Sequence, residues 1–256
     1  MIPEPIVLKW REIAGWQMNG QVEQDLVISR ALVELFNNDY LKSRIAFRGG
    51  TALHKLVFPK ALRYSEDIDL NRLEKGPSKS IIDNVRNALD EMLGQPIKVK
   101  STANSVKIIY DYDSISGGKS RLKVEINTRE TLPQEKLKAI PFSVESDYFT
   151  GETTITSFDT EEMIGTKIRA LYQRKKGRDL FDLYELGKLN FDWDKIVESF
   201  KKLDIGVTQK EYAENLEAKM ESNEFLEDLN PLLPTDVGYD PKEAHVWFVT
   251  EVLPKI

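Results

Sequence analysis

Two short segments of this 256-residue chain carry residue types that do chemistry together. Asp67-Ile-Asp69 alternates carboxylate and apolar side chains, and successive side chains of a strand point to opposite faces. Asp67 and Asp69 would then share one face, with Ile68 and Leu70 packing on the other. Two carboxylates held side by side repel each other and raise each other's pKa unless a cation stands between them. Magnesium suits such a pair, because it takes carboxylate oxygens, waters and substrate phosphates in octahedral geometry. Two such ions can activate an attacking hydroxyl and stabilise a leaving pyrophosphate.

The second segment, Gly49-Gly50-Thr51, lies shortly upstream. Glycine lets a backbone approach a phosphate closely and adopt positive φ. A helix starting there, capped by Gly50 or Thr51, would offer free N–H groups and its positive dipole end to an anion. Thr51 adds a hydroxyl donor. The G-x-x-x-x-G-K-S/T spacing is absent, which speaks against a P-loop NTPase. A third carboxylate, Glu125, sits between Val124 and Ile126 on a strand pattern and would bind a second ion or take the proton of an incoming hydroxyl. Each piece alone has an ordinary reading: a turn before a helix, a solvated strand edge, a solvent-facing glutamate. Their combination within one stretch carries the argument.

The elements that must position these residues are legible. Helical periodicity runs over 21–38, 51–57 and 78–93, and Pro59 ends the second of these. Strand patterns cover 44–47, 67–71, 97–100, 106–112 and 121–127, with weaker ones at 138–149 and 153–157. Beyond Phe158 the character changes. Asp159, followed three residues later by Glu162, opens a run of helical patterns over 160–173, 178–188, 193–202, 209–220 and 242–253. The expected fold is α/β (α+β), with a mixed β-sheet flanked by helices over 1–158 and a helical half over 159–256.

Composition narrows the function classes. Hydrophobic residues at 41% and charged residues at 30% can build a real core. No cysteine is present, so disulfides, thiolate metal sites and a cysteine nucleophile are excluded. The two histidines, His54 and His245, do not make a zinc site, and His54 reads as structural. No apolar run approaches the roughly 20 residues of a membrane span and no signal-peptide core is visible, so a cytoplasmic location is expected. A net charge of −6 requires that any nucleic acid meet a local patch. The densest such patch is Arg174-Lys175-Lys176-Gly177-Arg178. It reads either as a helix C-terminus closed by Gly177 or as a landing point for RNA phosphates.

Gly-Gly-Thr, then Arg63-x-Ser65-Glu-Asp-Ile-Asp-Leu, then a carboxylate on a later strand resembles the DNA polymerase β-type nucleotidyltransferase superfamily. Within it, the sequence is most similar to the AbiEii-like branch, the toxin component of type IV toxin–antitoxin and abortive-infection systems. The resemblance extends to Lys167 and to Arg178-Asp-Leu-Phe-Asp-Leu, which look like that branch's C-terminal lysine and R-D-x-x-D-L motifs. It implies a nucleotidyltransferase core and a magnesium-dependent transfer of a nucleoside monophosphate from a nucleoside triphosphate, with manganese as an alternative ion. By the same pattern Gly49, Gly50, Thr51, Arg63 and Ser65 hold the nucleotide, and Asp67, Asp69 and Glu125 bind metal. Lys167 contacts the triphosphate, and Asp182 or Asp179 orients that lysine or the base. Arg174, Lys175, Lys176 and Arg178 would bind the acceptor. The implied acceptor is a transfer RNA 3′ end, and the implied partner is an antitoxin that represses transcription. Two alternatives remain open: transfer to a small molecule or protein side chain, and a non-catalytic nucleotide-binding protein on the same scaffold.

Overall fold

A computed structural model describes residues 2–129, 132–203, 205–234 and 237–256. The chain divides into two compact units, Met1–Phe158 and Asp159–Ile256.

The first unit is built on a seven-stranded sheet: β1 Ile45–Arg48, β2 Asp67–Arg72, β3 Lys98–Ser101, β4 Ser105–Asp113, β5 Lys119–Asn127, β6 Lys138–Glu145 and β7 Thr150–Ser157. Their order across the sheet is β3-β4-β5-β2-β1-β7-β6. β2 is central. It runs antiparallel to β1 and parallel to β5, so the sheet is mixed. Pro141 is accommodated because β6 is an edge strand, where a missing N–H donor breaks no second ladder.

The period-two pattern decides which face is core. Ile68 and Leu70 of β2, Val106, Ile108 and Tyr110 of β4, and Leu122, Val124 and Ile126 of β5 are buried. Fully burying each large side chain of this kind contributes about 1.5–3 kcal/mol. Helix α1 (Glu4–Ala14) packs on α2 (Asn19–Asn37), and α4 (Ser78–Leu93) packs on α2 and β4. In α4, Ile81, Val85 and Leu89 recur every four residues and form its buried stripe.

Between β1 and β2 the chain forms α3 (Gly49–Ala52), continued by a π-helical turn, Leu53–Val57. This turn is tied to α2 by a buried network. Lys55 Nζ donates to Asp25 Oδ2 at 2.7 Å and to Ser29 Oγ at 2.9 Å. Asp25 also accepts from the indole nitrogens of Trp10 (2.9 Å) and Trp16 (3.3 Å).

The second unit is helical: α5 (Thr160–Gln173), α6 (Gly177–Gly187), α7 (Trp193–Lys202), α8 (Gln209–Met220), α9 (Asn223–Leu226) and α10 (Pro241–Trp247). Asp159 caps α5 by accepting from Glu161 N. α5 crosses α7 at Gly165, where an added Cβ would stand 3.0 Å from Ile196 O and Phe200 N. Trp193, Trp247, Phe248 and Tyr212 stack or meet edge-on within this unit; Tyr212 and Phe248 are buried and the two tryptophans half-buried at the edge of its core. Gly177 does not close α5 as its place after the basic run suggested. It opens α6, and its α carbon is pressed so closely by Phe225 O that a Cβ would lie 2.1 Å away.

Candidate active site

The site of the first unit follows from strand register. Asp67 pairs with Lys123 and Asp69 with Glu125 across the parallel β2–β5 ladder, while Arg48 of β1 stands opposite Asp69. All lie on the face away from Ile68 and Val124, so Asp67, Asp69 and Glu125 share one surface, as the alternation of side chains requires.

Two lysines share it as well. Lys123 Nζ lies 2.8 Å from Asp67 Oδ2 and 3.6 Å from Glu125 Oε2, and Lys107 Nζ lies 2.9 Å from Glu125 Oε1. Sequence reasoning passed over both, although Lys123 sits two residues before Glu125 and therefore on its face. Burial and the neighbouring Asp67 charge push the Asp69 pKa up. Burial works against the Lys123 ammonium, but its hydrogen bond and charge pairing with Asp67 outweigh that and raise its pKa. The surface is thus one that draws cations. Its donors are hard carboxylate oxygens, which fits a divalent cation such as magnesium. Among the described residues no three acidic or histidine side chains converge at metal-binding spacing. Glu125 is instead engaged by its two lysines.

The Gly-Gly turn is shaped by this surface. Gly49 has φ of 83°, and a Cβ there would lie 2.6 Å from Asp69 Oδ2. A Cβ on Gly50 would lie 2.6 Å from the Arg63 guanidinium. Each glycine therefore makes room for one neighbouring side chain, Asp69 or Arg63. Arg63 is buried and donates to Tyr64 O at 3.1 Å. α3 starts at Gly49, with extended Arg48 before it, so neither Gly50 nor Thr51 is the cap. Thr51 lies inside the helix. Its hydroxyl donates to Asp67 O at 2.6 Å and accepts from Ser65 Oγ at 2.8 Å. This pair ties the glycine turn to the start of β2. His54 is buried, stacks on Phe58 and accepts from Leu62 N through Nδ1, a structural role.

In the second unit the motif residues form a buried charge cluster. Lys167 Nζ lies 3.0 Å from Asp179 Oδ1 and 2.8 Å from Asp182 Oδ2. Lys167 is 5% exposed and both carboxylates are 0% exposed, so this is not a surface lysine. Arg174 donates twice to Asp179, at 2.6 and 2.7 Å. Burial alone would raise the Asp179 pKa, but Lys167 and Arg174 outweigh it and hold the carboxyl below its ordinary value.

The basic run is largely compensated. Arg174 turns back onto Asp179, whereas Lys176 and Arg178 approach Asp228 at 3.5 and 3.6 Å, and Lys175 is exposed. A helix continued through the run would carry it some 10–17 Å beyond Lys167. The chain leaves α5 at Gln173, and Arg174 instead shares a carboxylate with that lysine.

The model of the nucleotidyl transferase AbiEii toxin of type IV toxin–antitoxin systems matches residues 30–245. Among solved structures, MenT4, a nucleotidyltransferase toxin of Mycobacterium tuberculosis H37Rv, superposes with a TM-score of 0.62 at 16% identity. That match covers 100% of this chain and 91% of that one. A candidate nucleotidyltransferase from H. pylori superposes with a TM-score of 0.59 at 18% identity, covering 91% and 93%. At such identities these two establish the fold. No curated protein sequence matches. No helix among the described residues is long and apolar enough to cross a membrane. With the family model spanning most of its length, the chain belongs to the AbiEii nucleotidyltransferase toxins of type IV toxin–antitoxin systems, and it is a nucleotidyltransferase.

Proposed function

We propose that this enzyme moves a nucleoside monophosphate from a nucleoside triphosphate to the 3′ hydroxyl of an RNA, with transfer RNA as the acceptor, and that it needs magnesium. The observation that carries this reading is the contact of the two motifs: the Asp69 carboxylate lies against the α carbon of Gly49, on the surface that also bears Asp67. A triphosphate cradled by Gly49 and Gly50 would have its α-phosphorus beside both carboxylates.

In this reading Asp67 and Asp69 hold the cation, with Glu125 as the third acidic group. The bound cation would neutralise phosphate charge and polarise the α-phosphorus. Backbone N–H groups at the start of α3 meet the phosphates, while Arg63, Ser65 and Thr51 keep the turn in shape. Lys167 is assigned to the triphosphate on its motif, with Asp179 and Asp182 fixing the ammonium. The attacking hydroxyl oxygen forms the new P–O bond, its proton passes to Glu125, and pyrophosphate leaves with the electrons of the broken bond. The cognate antitoxin, in this reading a transcriptional repressor, and a cytoplasmic site of action complete the proposal.

The test is incubation of the protein with each labelled triphosphate, magnesium and total cellular RNA. Label in RNA that disappears in Asp67→Ala and in Asp69→Ala is the expected outcome. Activity within tenfold of wild type in both variants would overturn the assignment, and label in protein or small molecules alone would move the acceptor to another class.

A further inference from the structure

A cavity of about 520 Å³ opens in the first unit beside Asp67. Its walls include Gln21 and Gln24 of α2, Glu66 at the entry to β2, and Arg121 and Lys123 of β5. Of its lining, the reaction outlined above uses Asp67 alone.

Its place in the sheet is informative. β2 lies between β1 and β5. The glycine turn leaves β1 and contacts Asp69, so the phosphate cradle is on the β1 side of β2. The cavity is on the β5 side, and Asp67 borders it. In phosphoryl transfer the attacking and leaving oxygens stand roughly in line on opposite sides of the phosphorus. If pyrophosphate departs on the glycine side, the attacking hydroxyl enters from the cavity side.

The cavity wall is preformed. The Gln24 amide donates to Arg121 O at 3.0 Å and to Glu66 O at 3.4 Å, and its oxygen accepts from the Tyr112 hydroxyl. One helix side chain thus fixes the backbone of both strand starts. Lys123 and Asp67 both line the cavity, paired to each other at 2.8 Å. Arg121 is 63% exposed at the rim, bonded to Asp111 at 3.0 Å, and offers a cation to a chain leaving the cavity.

We propose that this cavity receives the terminal nucleoside of the RNA acceptor, its 3′ hydroxyl directed to Asp67 and the next phosphate meeting Arg121. This rests on the transfer reaction proposed above. The hydroxyl oxygen bonds to the α-phosphorus, its proton goes to Glu125, and the bond to the β-phosphate oxygen breaks to release pyrophosphate.

The experiment fills the cavity from two elements. Gln21→Trp projects from α2, and Ser116→Trp from the exposed turn between β4 and β5, with the fold of each variant checked by circular dichroism and thermal melting. Triphosphate affinity is measured by isothermal titration, and the Michaelis constant for total transfer RNA by label transfer. The expected result is a Michaelis constant for RNA raised tenfold or more in both variants, with triphosphate affinity within twofold of wild type. Arg121→Gln should lower the dependence of log KM on log salt by about 0.7. A tenfold loss of triphosphate affinity with an unchanged RNA constant would make the cavity a donor subsite and overturn the proposal. Both constants within twofold in the Ser116→Trp protein would also overturn it, leaving the transfer reading intact. Failure of the wild-type protein to label RNA would instead remove the transfer reading, and the acceptor cavity with it.

Discussion

Replacing Lys167 by methionine keeps most of the side-chain volume and removes the charge. The ammonium bridges Asp179 and Asp182 at 3.0 and 2.8 Å, and both carboxylates are fully buried. Removing one partner of a buried ion pair costs about 3–5 kcal/mol, because a charge remains in the interior without compensation. Arg174 stays on Asp179 through two bonds, which places the cost nearer the lower figure, about 3 kcal/mol. For a protein of this size each kcal/mol moves the melting temperature by roughly 2–4 °C, so a fall of about 6–12 °C is expected. Adding Asp182→Asn should recover much of the loss, since it neutralises the stranded carboxylate and the two changes couple through one contact. Lys167→Arg keeps the charge but asks a planar fork to fit a socket shaped for a point charge, so it should fall between wild type and methionine. Scanning calorimetry and urea unfolding read the stability, and titration with triphosphate reads binding. A methionine variant that melts within about 2 °C of wild type would refute the reasoning, because a buried bridge of this geometry cannot be energetically silent. The burial of Lys167 makes a loss of stability expected beside any loss of nucleotide binding.

The other expectations concern the carboxylates, the glycine turn and the basic run. Asp69 has a raised pKa, so the folded protein holds its proton more tightly than the unfolded chain does. Stability should therefore rise as pH falls through the folded pKa, and Asp69→Asn should melt at or above the wild-type temperature at neutral pH while losing transfer; calorimetry showing a clear drop would count against it. Asp179 has the opposite sign, so its contribution is present above the unfolded pKa and is lost as pH falls through the lowered folded value; Asp179→Asn should flatten the acid limb of the stability curve. Gly49→Ala places a Cβ 2.6 Å from Asp69 Oδ2 at a φ of 83°, so transfer should fall about 100-fold from carboxylate displacement, measured as kcat/KM. In the basic run, Arg174→Gln should lower stability through Asp179 and leave the salt dependence of RNA use unchanged, whereas Lys175→Gln should leave stability unchanged.

What the sequence made legible follows from which interactions are local. The alternation at Asp67–Leu70 implied a shared carboxylate face, and the register of β2 against β5 sets Glu125 opposite Asp69. Helices with clean periodicity, such as Ser78–Leu93, Trp193–Lys202 and Gln209–Met220, stand with the boundaries that their patterns give. Helix α1 is hard to read from the sequence because its apolar residues are not confined to one face: Val7, Trp10 and Ala14 are buried, whereas Leu8 and Ile13 are exposed. The final helical stretch was read as one element, but after Trp247 it continues as a π turn, Phe248–Val252, and a 3₁₀ turn, Leu253–Lys255, which apolar spacing does not distinguish.

Charge is the property least legible along the chain. A run of cations looks like a binding patch when its neighbours are counted along the chain, yet Asp179 and Asp228, 5 and 50 residues from their partners Arg174 and Arg178, fold onto it. Conversely, Lys107 and Lys123 looked like unremarkable strand residues but bracket the third acidic position across the ladder. In this fold the charges that remain unmatched along the sequence are not those left unmatched in space. Partner charge is set by strand register and helix return, and both are long-range. The cavity is the proposed acceptor site because Asp67 itself lines it, on the side from which an in-line hydroxyl would come.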